Sequence, residues 1–167
     1  MREAYGQQRE TDAIRAKLRS YGELQRRLDN QLARLYNLID SIDAVSSTNY
    51  SGMPTGSHDG TSRQERYTER KDELETKVDN MMKQETELRK ELEDMIAKLN
   101  DPDEQAVLEM KYIDGLQWKN VSLSLFGMRE DYEDNPERYM KRTFRIHGAA
   151  LQRLGRIYWG ELAPPTI

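Results

Sequence analysis

The chain has 167 residues, a formal net charge of −4, 36% hydrophobic residues and 34% charged residues. This composition excludes one large apolar core and favours long, solvated amphipathic helices in one or two small domains. The chain has no cysteine, which excludes disulfides and thiolate metal sites, and two distant histidines are too few for an ordinary zinc site.

Two segments carry a seven-residue apolar repeat, which is typical of the a and d seam of a coiled coil. It predicts helices over 7–45 and 63–99. The repeat positions are Ile14, Tyr21, Leu28, Leu35 and Ile42, then Tyr67, Leu74, Met81, Leu88 and Met95.

The segment 46–62 between them is rich in Ser, Thr, Gly and Asn, which favour turns. We therefore expect an antiparallel coiled-coil hairpin over 7–99 with a loop at 46–62, although a loop of this length also permits exchange between two chains. The polar seam residues Gln25 and Glu85 either fix the register or lie at a wet part of the seam.

The residues after 100 predict three further helices. Asp101 followed by Pro102 is typical of a capped helix start and predicts a helix over 102–113. A tight turn at Gly115 leads to a helix over 117–126 that Gly127 ends. An acidic loop precedes a final helix over 136–158, with Asp134 and Glu137 resembling a capping box. Residues 159–167 are expected to form a flexible tail.

The final predicted helix separates apolar from cationic residues. At 100° per residue, Met140, Phe144, His147, Leu151 and Leu154 fall on one side, which we expect to pack on the preceding helices. The opposite side carries no carboxylate, and we call it the cationic strip: Arg138, Lys141, Arg142, Arg145, Ala149, Gln152, Arg153 and Arg156.

A cationic helix of this kind fits the major groove of DNA, where Arg and Gln read base edges and Arg and Lys neutralise phosphates. Basic amphipathic helices also bind anionic membranes and RNA. The opposite side holds Thr143, His147, Gly148 and Gly155, which suit close helix packing better than insertion into lipid.

A resemblance to a known family supports the DNA interpretation. Residues 112–118 (YIDGLQW), Val121, Leu125 and residues 145–151 (RIHGAAL) resemble the C-terminal module of ArpU-type transcriptional regulators of phage late genes, and residues 51–57 (SGMPTGS) match a loop motif of that group. The resemblance implies a helix-turn-helix similar to sigma factor region four over 101–158. It places Lys141, Arg142 and Arg145 at bases and phosphates.

The sequence departs from that pattern at three places. Gln117 stands at a helix cap where Ser or Thr is usual, Asn120 replaces an acidic capping partner, and the acidic loop is long. The five carboxylates at 130–137 would repel DNA unless they point away from it. We expect His147 to be structural, and Tyr112 and Trp118 to belong to the core.

We thus expect an all-α, cytoplasmic protein of a bacterial host cell that binds double-stranded DNA and regulates transcription, with RNA polymerase as a possible partner and homo-oligomerisation through the coiled coil. No catalytic residues, cofactor, metal or membrane partner are expected, because no nucleophile–base pair, phosphate loop, ligand cluster or long apolar run occurs. The alternative is a coiled-coil adaptor that docks a partner without binding DNA by itself.

Overall fold

The computed structural model describes residues 2–47 and 63–162, and every regular element within these ranges is a helix. This confirms the predicted all-α class. The elements are α1 (Arg2–Ser47), α2 (Arg63–Ile96), α3 (Pro102–Leu108) with a π-helical turn (Glu109–Ile113), α4 (Trp118–Phe126) and α5 (Pro136–Leu162). The loop motif at 51–57 and most of the predicted loop lie outside the described residues.

The long helices α1 and α2 pair with one another, and each contributes to two compact units. The first unit comprises Met1–Glu23 and Glu87–Ile167, and the second comprises Leu24–Thr86. The first unit thus contains parts of α1 and α2 together with the C-terminal helices.

The second unit is a narrow pair of helices. Its buried apolar residues include Leu24, Leu35 and Val78, and the other apolar repeat positions of this unit are half-buried. Tyr36 and Met82 are 61% and 49% exposed. Two helices alone cannot cover every apolar side chain, so this unit keeps exposed apolar surface.

The first unit holds the main core. Ile14, Leu18 and Tyr21 of α1 pack in one cluster with Leu92 and Ile96 of α2, and the cluster extends into the C-terminal helices through Leu99, Leu108, Ile113, Ala150, Leu151 and Leu154. At about 1.5–3 kcal/mol for each large side chain removed from water, this cluster is the principal stabilising feature of the unit.

The start of α3 follows the prediction. The Asp101 carboxylate accepts hydrogen bonds from the backbone N–H groups of Asp103 and Glu104, at 2.9 and 3.4 Å, and Pro102 is the first helical residue. The predicted helix 102–113 is not uniform, because its last five residues form a π-helical turn. Gly115 follows the π-helical turn and has a φ of 68°, a conformation that glycine adopts without steric cost.

Other helix ends follow the prediction in part. Helix α4 begins at Trp118, and the Gln117 side chain makes no capping hydrogen bond, as its residue type indicates. Gly127 is the C-cap residue of α4, as predicted, and its φ is −59°. Asn135, not Asp134, immediately precedes α5, and its carbonyl accepts from the backbone N–H of Arg138 at 3.1 Å.

Helix α5 continues to Leu162, four residues beyond its predicted end at residue 158. The remaining tail, 163–167, lies outside the described residues. None of the described helices combines the length and the apolar character that crossing a membrane requires.

Gly148 lies within α5, and a Cβ atom added there would meet nothing within 4 Å beyond the helix itself. Replacing Gly148 with alanine should therefore raise the free energy of unfolding by about 1 kcal/mol, because alanine loses less backbone entropy in a helix. Thermal or urea unfolding checks this expectation, and an unchanged or lower stability would contradict it.

Candidate nucleic-acid interface

Helix α5 has one face in the core and the other in solvent, as its sequence predicts. Tyr139, Thr143, Ala150, Leu151 and Leu154 are buried. The buried Thr143 hydroxyl is satisfied because it donates to the Tyr139 carbonyl at 3.0 Å. The core therefore fixes the rotation of α5 and determines which side chains face solvent.

The predicted DNA-contacting side chains lie on the solvent face. Ala149 is half-buried, and the other seven are exposed: Arg138, Lys141, Arg142, Arg145, Gln152, Arg153 and Arg156. Among the residues that the structure describes, Lys141, Arg145 and Arg156 have no carboxylate within ion-pair distance. The structure thus presents these three cations to solvent; their contact with DNA remains a prediction.

Residues 127–135, which include the predicted acidic loop, form a series of turns that we call the acidic turn. Side-chain contacts hold the acidic turn against the start of α5. The Tyr139 hydroxyl donates to the Asp131 carboxylate, and this hydrogen bond holds the pKa of Asp131 below its usual range. The Tyr132 and Tyr139 rings lie 5.4 Å apart, and Tyr139 also contacts the ring of Phe126 at 5.2 Å. These contacts set the direction in which the turn leaves α4.

The acidic turn also approaches one cation of the strip. Arg138 lies 3.4 Å from the Asp131 carboxylate, but its side chain is 73% exposed. Water screens exposed ion pairs of this kind, which therefore contribute little to stability, so Arg138 can exchange its partner at little cost. Two further acids, Asp134 and Glu137, line a shallow cleft together with Arg138, Lys141 and Arg145.

The guanidinium group of Arg142 is oriented by an aromatic ring. It lies 5.0 Å from the centre of Phe126, within the range of cation–π attraction. Arg138, Arg142 and Arg145 together line one small open cleft. Arg142 is therefore held beside two other cations while its side chain stays exposed.

Arg153 has a structural partner that the sequence analysis did not identify. Its guanidinium lies 3.1 Å from the carboxylate of Glu104 on α3, and the Glu104 side chain is only 3% exposed. Burial raises the pKa of Glu104, while the charge of Arg153 opposes that shift. Arg153 thus neutralises a carboxylate that α3 buries against α5.

Phe144 is 45% exposed, although the helical pattern placed it on the packed side. Its ring lies 4.9 Å from Trp118 in an edge-to-face arrangement. Trp118 is itself half-buried between this ring, the His147 ring at 4.8 Å and the Lys111 ammonium at 5.1 Å. On a helical wheel Phe144 lies at the border between the apolar and the cationic side. Only the packing of α4 against α5 determines whether its ring is buried.

His147 belongs to this aromatic cluster. Its Nε2 lies 3.0 Å from the Tyr112 hydroxyl, and the two rings stack at 5.8 Å. Burial and the positive charges of Arg15, Lys111 and Arg19 lower the pKa of His147 to about 4. The ring is therefore neutral at pH 7, in agreement with a structural role.

Protonation of His147 should destabilise the fold on acidification. The folded-state pKa of about 4 lies below the ordinary value of 6.5, so the unfolded chain binds more protons between these values and stability falls as the pH drops through this window. Urea unfolding measures the free energy of unfolding at pH 7 and at pH 5. The decrease between the two pH values should be smaller for His147→Gln than for the natural chain. An equal difference in both proteins would contradict this account.

In the described ranges 2–47 and 63–162, histidine and carboxylate side chains do not form groups of three that could hold a metal ion.

Comparison with known proteins gives one family match. Residues 61–136 match the family described as Protein of unknown function (DUF1492). The match covers α2, α3, the π-helical turn, α4 and the acidic turn, and it ends at the first residue of α5. The cationic strip therefore lies beyond the matched residues.

Comparisons with curated proteins and with solved structures gave no match. The resemblance to ArpU-type regulators and to sigma factor region four consequently remains an expectation from the sequence.

Proposed function

We propose that this protein binds double-stranded DNA through α5 and regulates transcription, with the late genes of a phage or prophage in a bacterial cytoplasm as its target. The observation that carries the proposal is the exposed cationic face of a helix whose opposite face is fixed in the core. A helix fits the major groove, and exposed Arg and Lys supply both base and phosphate contacts.

The charges support a division of roles along the strip. Lys141, Arg142 and Arg145 lie within little more than one turn, and they are the residues we assign to bases and adjacent phosphates. Arg156 lies three turns further along and is assigned to a phosphate, because it projects from the same side of the helix. Arg138 joins them when a phosphate replaces Asp131 as its partner.

Arg153 has a smaller share in this division than the sequence indicates. Its guanidinium is engaged with Glu104, although half of the side chain remains exposed. We assign it mainly to the support of α5 against α3. Its contribution to phosphate binding is secondary.

Titration of a fluorescent duplex at two salt concentrations tests the proposal. If four cations of the strip bind phosphates, the affinity for the duplex should fall by about a hundredfold between 50 and 200 mM salt, since each neutralised phosphate contributes about −0.9 to the slope of log affinity against log salt concentration.

Lys141→Ala should reduce the magnitude of this slope by about one unit. Lys83→Ala, at an exposed position of α2, is the matched control and should leave the slope unchanged. Absence of binding at both salt concentrations would refute the proposal.

The alternative function is a docking adaptor that contacts RNA polymerase or another protein without binding DNA. It is favoured by two exposed apolar side chains, Met128 in the acidic turn at 99% exposure and Leu123 in the preceding helix at 51%. An adaptor should show no duplex binding in the same titration, and Met128→Ser should then weaken partner binding.

Homo-oligomerisation through the helical hairpin is part of the proposal. Exposed apolar side chains on paired helices often mark an interface, and Tyr36 and Met82 provide them in the second unit. Sedimentation equilibrium of the natural chain and of Met82→Glu distinguishes a dimer from a monomer, because a charge placed in an apolar interface should dissociate it.

A further inference from the structure

Phe144 is an exposed aromatic side chain at the edge of the cationic strip. It lies three residues after Lys141 and next to Arg145, and its ring is 45% exposed. Within α5 as far as Tyr158, where the structure describes side chains, it is the one large apolar residue that is exposed. Water therefore contacts a phenyl ring at the edge of the proposed DNA-binding face.

The contact with Trp118 fixes the orientation of this ring. The two ring centres are 4.9 Å apart at an angle of 65°, the edge-to-face geometry that aromatic pairs prefer. Trp118 is held in turn by His147 and by the Lys111 ammonium. Phe144 is thus presented to solvent in a defined position, which reduces the conformational entropy lost on binding.

We propose that Phe144 contacts the C5-methyl group of a thymine in the major groove and so contributes to base specificity. This inference rests on the proposed function, because it requires α5 to enter that groove. Of the four bases, thymine alone carries a methyl group on its major-groove edge, and apolar side chains recognise it by contact. Lys141 and Arg145 beside the ring bind the polar groups around it.

The experiment begins with selection of duplexes from a random-sequence pool by the natural protein. Each thymine of the selected duplex is then replaced by deoxyuridine, which lacks the methyl group but keeps every hydrogen-bonding group. At one thymine position, replacement should weaken binding by about fourfold, the effect of one methyl group removed from an apolar contact.

Two variants assign the effect to the ring. Phe144→Ala should bind the thymine and deoxyuridine duplexes with equal affinity. Lys141→Ala should weaken binding to both by the same factor, so the ratio between them should stay near fourfold. Because the natural protein is measured first and the change is made in the DNA, the test does not depend on the folding of Phe144→Ala.

The outcomes separate this inference from the proposed function. A selected duplex in which no thymine responds to deoxyuridine would overturn the methyl contact while leaving DNA binding intact. The same ratio in Phe144→Ala would also overturn it. Failure to enrich any duplex would overturn the proposed function and this inference together.

Discussion

Arg153→Ala is expected to lower the free energy of unfolding by about 2 kcal/mol, although the replaced side chain is half exposed. Removing one partner of a buried ion pair costs about 3–5 kcal/mol because the other charge stays buried and unpaired. Here Glu104 is 3% exposed and Arg153 is 54% exposed, so water partly screens the pair and the cost is smaller. Urea unfolding at pH 7 measures the change.

A second substitution distinguishes the charge effect from lost packing. Glu104→Gln combined with Arg153→Ala should recover much of the stability, because a neutral amide does not require a cation. Arg156→Ala is the matched control: it removes an exposed arginine from the same helix face and should change stability by less than about 0.5 kcal/mol. Equal losses in Arg153→Ala and Arg156→Ala would refute the role of the Glu104 pair.

The pH dependence gives a further signature of the same pair. Burial already raises the pKa of Glu104 above its ordinary value, and loss of Arg153 should raise it more. A folded-state pKa above the unfolded value means that the folded chain binds more protons between these two pKa values. Glu104 therefore destabilises the fold as the pH rises through this range. The deficit of Arg153→Ala should therefore be largest at neutral pH and smaller near pH 5.

Arg142→Ala is expected to weaken binding to the selected duplex by about 10- to 100-fold and to relax the preference at one base pair. An arginine that makes two hydrogen bonds to a guanine contributes about 1–3 kcal/mol of discrimination. The ring of Phe126 orients the guanidinium, at 5.0 Å, and this orientation favours a specific contact over a mobile phosphate contact.

Arg142→Lys is the control for this prediction. It keeps the positive charge but loses the planar fork that forms two parallel hydrogen bonds. The salt slope should stay close to that of the natural protein, while the base preference should be lost as in Arg142→Ala. Competition between the selected duplex and its single-base variants measures both quantities. An unchanged base preference in both Arg142→Ala and Arg142→Lys would contradict this prediction and assign Arg142 to phosphates.

Periodic features of this fold could be predicted from the sequence. The heptad positions Ile14, Tyr21 and Met95 are buried, and Asp101 caps α3 as its residue type indicates. The two faces of α5 also follow from the helical repeat. Such features depend on neighbouring residues of one helix or on backbone conformation, and a single sequence contains that information.

Contacts between helices could not be predicted in the same way. Glu104 and Arg153 are 49 residues apart, and the exposure of Phe144 depends on where α4 places Trp118. Local patterns state which face of a helix is apolar but not the angle or the depth at which another helix crosses it. The first compact unit likewise joins residues that are far apart in the sequence, since Ile14, Leu92 and Leu151 pack in one cluster.

The most direct test of the central claim is DNA cleavage from a reagent attached to α5. The chain has no cysteine, so Gln152→Cys provides a single attachment point for an iron chelate on the cationic strip, and Gln84→Cys on α2 is the matched control. We predict cleavage of the selected duplex at defined nucleotides from position 152 and little from position 84. Binding of the duplex without cleavage from position 152, or equal cleavage from both positions, would contradict the proposal that α5 enters the groove.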